Sequence, residues 1–111
     1  MKKKTKDLEE GDIIWNPDTD FGDGEKKIHP NLIVEDKSYA MTSSKDQGDN
    51  TRVQYNINDL NKPPALGTNI TGKYVTNIEQ NLTKEEYIYY AKMKRSFIIK
   101  FKNWLSTGKF E

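Results

Sequence analysis

The stretch TRVQYNI, residues 51–57, carries the clearest structural signal in the chain. Val53, Tyr55 and Ile57 alternate with polar residues, and a period of two is typical of a strand buried on one face. Four further β-prone runs, without helices between them, are GDIIW (11–15), HPNLIVED (29–36), SYAMTSS (38–44) and GKYVTNIEQN (72–81). This order favours an antiparallel sheet curled into a small SH3-like barrel of about five to six strands over a parallel α/β sheet.

The connections and the two ends of the chain complete the predicted architecture. NPDTDFGDGEKK (16–27) and NDLNKPPALGTN (58–69) contain proline and glycine and predict irregular loops. LTKEEYIYYAKMKRSFIIKFKNWLSTG (82–108) predicts one long C-terminal α-helix, because Thr83 and Glu86 have capping-box spacing and apolar residues recur at helical spacing. We therefore predict a single domain with a polar N-terminal segment (1–10), a β-barrel (11–82) and a helix (83–107) that packs on the barrel or a partner.

Composition excludes several classes of protein. The 18 basic residues are almost matched by 17 acidic ones, giving a net charge of +1, so a globally basic nucleic-acid coat is excluded. The absence of cysteine excludes disulfides, a thiolate nucleophile and a cysteine-based zinc site. No run reaches the ~18 consecutive apolar residues of a membrane span. We expect a cytoplasmic protein that does not cross a membrane.

The acidic stretch DTDFGDGE, residues 18–25, invites a calcium-binding interpretation. An EF-hand loop needs an oxygen-bearing fifth residue, a glycine at the sixth position and a glutamate at the twelfth. Counted from Asp18, these positions hold Gly22, Asp23 and His29. The pattern fails, and we predict a solvated acidic loop, no metal and no cofactor.

His29 is the single histidine of the chain and directly precedes Pro30. An ordinary histidine pKa of about 6.5 suits proton transfer at neutral pH, and Lys26 and Lys27 nearby could hold a phosphate. A structural role is equally open, since a residue before proline is biased toward extended backbone and could simply begin a strand. Thr42 and the serines after it could bind a phosphate or form an ordinary turn.

The aromatic residues and the basic C-terminal segment allow further interpretations. Tyr39, Tyr55 and Tyr74, near Arg52 and Lys73 in the sequence, could stack on bases or fill the core. The lysines and aromatic residues of the predicted helix would suit a partner interface or, less well, a membrane surface.

The order of these motifs resembles the PemK/MazF-like toxins, which are small β-barrel endoribonucleases of toxin–antitoxin systems. The matching elements are GDIIW (11–15), Pro17, GE (24–25), HPNLIV (29–34) and MTSS (41–44), and the later strands continue in the family's order. The resemblance covers roughly residues 11–90. It implies metal-independent cleavage of single-stranded RNA by a homodimer that a cognate antitoxin protein inhibits.

The resemblance also implies roles for individual residues. The family pairs an Arg-Pro arginine with a Thr-Ser threonine. Thr42 matches the threonine, whereas His29 stands at the arginine position. The resemblance then implies His29 as the proton-transfer group, Thr42 on the phosphate, and Glu25 as a base or orienting carboxylate. The predicted RNA contacts are Lys26, Lys27, Ser43 and Arg52.

Two other functions stay open at this point. Histidine cannot supply the permanent bidentate grip of a guanidinium on a phosphate, so the chain could be a non-catalytic module that binds nucleic acid or protein on the same barrel. It could also be an interaction protein that works through the C-terminal helix. Fold-level analogy does not decide between these functions.

Overall fold

The computed structural model describes residues 2–20, 26–35, 38–43, 52–55, 57–62 and 73–111. These residues are mainly antiparallel β-structure followed by one α-helix, which confirms the predicted fold class. The strands are β1 (Lys2–Lys4), β2 (Asp12–Asp20), β3 (Lys26–Glu35), β4 (Ser38–Ser43), β5 (Arg52–Tyr55), β6 (Leu60–Lys62), β7 (Lys73–Asn81) and β8 (Glu86–Met93). The helix α1 is Arg95–Thr107, and short 3₁₀ turns lie at Thr5–Asp7 and Ile57–Asp59.

The strands form one sheet in the order β1-β8-β2-β3-β4-β7-β5, and β6 pairs with β8 beside it. The 3₁₀ turn Ile57–Asp59 connects β5 to β6, so the chain returns from one edge of the sheet to β8. Within the described residues, no ladder of hydrogen bonds joins β5 to β6. Closure into a barrel therefore stays a prediction.

The predicted helix over residues 83–107 is wrong in its first half. Glu86–Met93 is strand β8, and α1 begins only at Arg95, after Lys94 in extended backbone (φ −65°, ψ 145°). β8 pairs with β1, β2 and β6, so a helix here would leave three strands without their backbone partners. Glu86 lies opposite Lys4 in the sheet and does not form the predicted capping box.

Three further boundaries differ from the sequence prediction. The polar segment 1–10 contains β1, whose residues pair with Glu86–Ile88. β2 continues to Asp20 through part of the predicted loop 16–27, because a register shift between Asn16 and Thr19 accommodates Pro17. β6 occupies part of the predicted irregular connection 58–69.

Buried side chains form two clusters on opposite faces of the sheet. The main core combines strand residues with Phe97, Ile98 and Phe101 of α1. A smaller cluster contains Ile14, Ile33 and Tyr87. The face of the sheet that carries the smaller cluster is called the second face below. The remaining main-core residues are Ile13, Leu32, Val34, Val53, Tyr55, Leu60, Val75, Tyr90, Ala91 and Met93.

Gly11, directly before β2, has a backbone conformation that suits glycine. Its φ is +97°, and its N–H donates to the Ile33 carbonyl at 2.8 Å. Its own carbonyl accepts the Met93 N–H at 2.7 Å. A Cβ at this position would stand 3.2 Å from the Met93 oxygen, so both the backbone and the space favour a residue without a side chain.

Candidate functional site

The register of the central strands brings several of the predicted site positions together. His29 pairs with Asn16 of β2, and Ser43 pairs with Tyr74 of β7, which in turn pairs with Gln54 of β5. The β3–β4 ladder runs as far as Asn31 opposite residue 41. Positions 16 and 29 thus lie opposite each other in β2 and β3, and positions 43, 74 and 54 lie in line across β4, β7 and β5.

Strand alternation assigns Asn16 to the second face, because Trp15 directly before it packs against the main core. Val75 and Val53 pair with each other and both belong to the main core. Thr42 pairs with Val75 in the β4–β7 ladder.

The other predicted contact positions lie in β5 and β3. Arg52 precedes core residue Val53, so it lies on the second face, where it is half-buried. Lys26 and Lys27 belong to β3, opposite Asp20 and Thr19 of β2. Glu25 lies outside the described residues.

Two buried amides flank position 29. Asn16, opposite His29, is only 2% exposed, and its Oδ1 accepts the Asp18 N–H at 3.0 Å. Asn31, two residues further along β3, is fully buried, and its Nδ2 donates to the Pro30 carbonyl at 2.8 Å. The Asn16 contact holds the irregular part of β2, and such irregularities often occur beside active sites. In the sequence, both asparagines adjoin a strongly apolar run, which is the feature by which they could have been found.

A second polar cluster surrounds Asp12, which is fully buried. The Lys3 Nζ lies 2.9 Å from its Oδ2 and the Lys92 Nζ lies 3.2 Å from its Oδ1. The Glu9 N–H donates to Oδ2 at 2.8 Å, and the Glu9 carboxylate accepts Lys92 at 3.0 Å. Burial lowers the pKa of Lys92, but the hydrogen bonds and charges of Glu9 and Asp12 outweigh burial and leave that pKa raised. The cluster connects β1, β2 and β8.

Two adjacent hollows lie beside β1 and the start of β8. One has a volume of about 720 Å³ and includes Lys4, Lys6 and Leu82 in its lining. The other has a volume of about 470 Å³ and includes Trp15 and Ile88. Both are lined in part by residues 84–86. Sequence reasoning did not predict either hollow, because the predicted helix over 83–107 placed residues 84–88 in another conformation.

The described residues form neither a cluster of metal ligands nor a membrane-spanning helix. In those ranges, no three His, Cys, Asp or Glu side chains are grouped so that they could hold a metal ion. No helix there combines the length and the apolar character needed to cross a bilayer.

Comparison with known proteins adds no relative. A scan against protein-family models found no match to the chain, and a search of curated proteins found none either. The resemblance to the PemK/MazF-like toxins therefore stays a prediction from the sequence motifs.

Proposed function

We propose that the protein is a toxin-like, metal-independent endoribonuclease that cleaves single-stranded RNA on the second face of its sheet. The observation that supports this most strongly is the order of the strands, since β3, β4, β7 and β5 are neighbours in one sheet and Lys27, His29, Ser43 and Arg52 belong to β3, β4 and β5. At about 4.8 Å per strand, three strand spacings separate β3 from β5 by about 14 Å. A few nucleotides of an RNA strand bridge that distance.

The proposed chemistry is attack of a ribose 2′-hydroxyl on the adjacent phosphate. The His29 imidazole accepts the 2′-hydroxyl proton while the 2′-oxygen forms a bond to phosphorus. The bond from phosphorus to the 5′-oxygen breaks, and that oxygen takes up a proton delivered through solvent. The products are a 2′,3′-cyclic phosphate and a 5′-hydroxyl. Lys27 and Arg52 supply positive charge toward the phosphate, where negative charge develops.

Thr42 and Ser43 are both proposed on the phosphate, and they differ in their cross-strand partners. Thr42 pairs with Val75 of the main core, whereas Ser43 pairs with Tyr74. Because adjacent strand residues alternate between the faces of a sheet, a phosphate on one face can contact only one of the two hydroxyls. Separate Thr42→Ala and Ser43→Ala variants decide which one it is.

The test is incubation of purified protein with a long single-stranded RNA in EDTA. We expect cleavage by the wild type, a loss of about 10²–10⁴-fold in His29→Ala, and a smaller loss in either Thr42→Ala or Ser43→Ala. Thr42→Ser should cleave at the wild-type rate, and end analysis should find the cyclic phosphate. RNA that stays intact with the wild type overturns the proposal.

A second candidate function is RNA binding without cleavage. The observation that favours it is His29 at the position where the resembled family has arginine, since imidazole holds a phosphate less firmly than guanidinium does. Intact RNA together with binding that weakens steeply as salt rises would support this alternative.

Partners and location form part of the same proposal. Homodimerisation and neutralisation by an antitoxin protein follow from the resemblance alone, and the cytoplasmic location follows from the composition of the sequence. Light scattering of the purified chain tests the dimer. Cleavage assays with the product of a neighbouring reading frame test the antitoxin, and unchanged cleavage with every such product would contradict it.

A further inference from the structure

The outward side of α1 is basic, and the helix contains no acidic residue. Lys94 directly precedes the helix, Arg95 and Lys100 belong to it, and all three are exposed. Ile99, one turn after Arg95, is 56% exposed. We call these four residues the basic face. The opposite side of α1 packs against the main core through Phe97, Ile98 and Phe101.

The acidic residues beside α1 already pair with other lysines. Glu9 and Glu10 line a small hollow together with Arg95. The Glu9 carboxylate lies 3.0 Å from the Lys92 Nζ, and the Glu10 carboxylate lies 3.1 Å from the Lys102 Nζ. In the described part of the chain, no carboxylate forms an ion pair with any of the three cations of the basic face. Their positive charge is therefore not neutralised within this part of the protein.

The start of α1 adds to the positive potential. Its first turn contains no acidic residue, and no side chain caps it. The helix dipole places about half a positive charge at this end, so cations are least favourable here. Lys94 and Arg95 nevertheless stand at this end. A sequence that breaks a local rule of helix stability in this way is expected where the charge serves binding.

Three other occupants fit the basic face less well than a protein segment does. RNA cleavage is proposed on the second face, whereas α1 packs on the side of the main core. A helix on a membrane surface inserts its apolar side, but that side of α1 is buried in the core. Two copies related by a twofold axis would bring the same cations together and repel each other.

We propose that the basic face binds an acidic segment of a partner protein. Carboxylates of the segment pair with Arg95 and Lys100, and an apolar side chain of the segment covers Ile99. Arg95 and Lys100 are separated by about 7.5 Å along the helix axis. Alternate residues of an extended segment lie about 7 Å apart, so two carboxylates on one side of it match this spacing. The proposal does not depend on RNA cleavage.

Fluorescence polarisation with an acidic peptide tests the proposal on the full chain. The probe is a labelled peptide of Glu-Glu-Leu repeats, and its control carries Gln in place of every Glu. We expect saturable binding of the acidic peptide that weakens as salt rises, and no binding of the neutral one. Absence of binding by the acidic peptide, or equal binding of both peptides, overturns the proposal.

Matched variants locate the binding. Arg95→Gln/Lys100→Gln should weaken it about 2- to 30-fold, since each exposed ion pair contributes about 1.4- to 5-fold. Ile99→Ser should weaken it about fivefold through lost apolar contact. The control Lys2→Gln/Lys6→Gln removes the same charge from exposed lysines of β1 and the turn after it, and should bind like the wild type. Equal weakening in the control would show that binding follows net charge alone and would overturn the proposal.

Thermal unfolding separates binding from a structural role. Arg95→Gln/Lys100→Gln should unfold at the wild-type Tm or slightly above it, because it removes a cation from the positive end of α1. A large fall in Tm would assign these cations to stability and overturn the proposal.

Two further probes address the other occupants, namely vesicles that contain phosphatidylserine and an oligouridine with 2′-O-methyl riboses. If Arg95→Gln/Lys100→Gln loses binding to either probe but keeps binding to the acidic peptide, a membrane or RNA replaces the protein segment. Self-association of the wild type that is lost in the same variant would assign the basic face to a second copy. Each of these results overturns the proposal and leaves the proposed function standing.

Discussion

Asp12→Asn should destabilise the protein severely, although the change replaces one atom. Asp12 is fully buried between Lys3 at 2.9 Å and Lys92 at 3.2 Å. Asparagine keeps the shape and one acceptor for the Glu9 N–H, but it removes the negative charge that both ammonium groups face. Lys3 is then left beside a neutral amide, whereas Lys92 keeps its contact with the exposed Glu9 carboxylate at 3.0 Å.

The magnitude follows from the exposure of the two lysines. Removing one member of a buried ion pair costs about 3–5 kcal/mol. The side chains of Lys3 and Lys92 are 29% and 25% exposed, so both ammonium groups can turn toward water, and we expect the lower end, about 3 kcal/mol. At about 4–8 °C per kcal/mol for a domain of this size, Tm should fall by about 12–24 °C.

Urea and thermal unfolding followed by circular dichroism measure the loss. The matched control is Glu10→Gln, which breaks the exposed contact of Glu10 with Lys102 at 3.1 Å and should cost at most about 1 kcal/mol. Amide exchange locates the effect, because the Thr5 N–H donates to the Glu85 carbonyl at 2.8 Å and loses protection if β1 detaches. A loss below about 1 kcal/mol in Asp12→Asn, or unchanged Thr5 protection, would refute a role of this cluster in holding β1.

Three further predictions concern the titration, the backbone and the core. Burial raises the pKa of Tyr90 to about 12, so the free energy of unfolding should be constant below pH 10 and fall above it, where tyrosine ionises in the unfolded chain. Urea unfolding between about pH 8 and 11.5 should show a smaller decrease of this free energy in Tyr90→Phe than in the wild type. An equal decrease would contradict the prediction. Gly11→Ala should lower the free energy of unfolding, measured in urea, by about 1–3 kcal/mol. Gly108→Ala should cost less, because φ is +80° there too but no atom lies within 4 Å of an added Cβ. Equal costs would show that the contact with the Met93 oxygen is unimportant. Phe101→Ala should lower the free energy of unfolding by about 3–5 kcal/mol, because the ring is fully buried. Ile99→Ala, on the same helix but 56% exposed, should change it by no more than about 0.5 kcal/mol. Similar losses in both variants would contradict the position of the core.

The strands that the sequence predicted correctly are those whose apolar residues fit one simple period or one short apolar run. β5 shows the alternation of Val53 and Tyr55. β2 contains Ile13 and Ile14 near its start, and they are buried in different clusters, so a run without alternation still marked a strand. The local pattern of apolar residues sufficed in both places. β1 was missed because three consecutive lysines offer no apolar pattern, and their strand is formed by pairing with β8.

β8 was mistaken for a helix for a specific geometric reason. In the β2–β8 ladder, Ile13 pairs with Ala91 and Ile14 pairs with Tyr89, so β8 contains one extra residue, Tyr90. Because of the extra residue, the adjacent Tyr90 and Ala91 are both buried in the main core, while Tyr87, three residues before Tyr90, is buried in the smaller cluster on the other face. The buried positions therefore follow one another at steps of three and one. That spacing is also the spacing of one helix face.

The pairing of β4 separates two hydroxyl residues that the sequence treats alike. In the sequence, Thr42 and Ser43 are adjacent and equally suited to a phosphate, and only the family resemblance favoured Thr42. In the sheet, Thr42 pairs with Val75 of the main core, whereas Ser43 pairs with Tyr74. No local sequence pattern carries this information, since it arises from the pairing of β4 with β7. Because adjacent strand residues alternate between faces, a phosphate on one face can contact only one of the two hydroxyls. The cleavage rates of Ser43→Ala and Thr42→Ala should therefore differ, and equal rates would contradict a phosphate site at this part of β4.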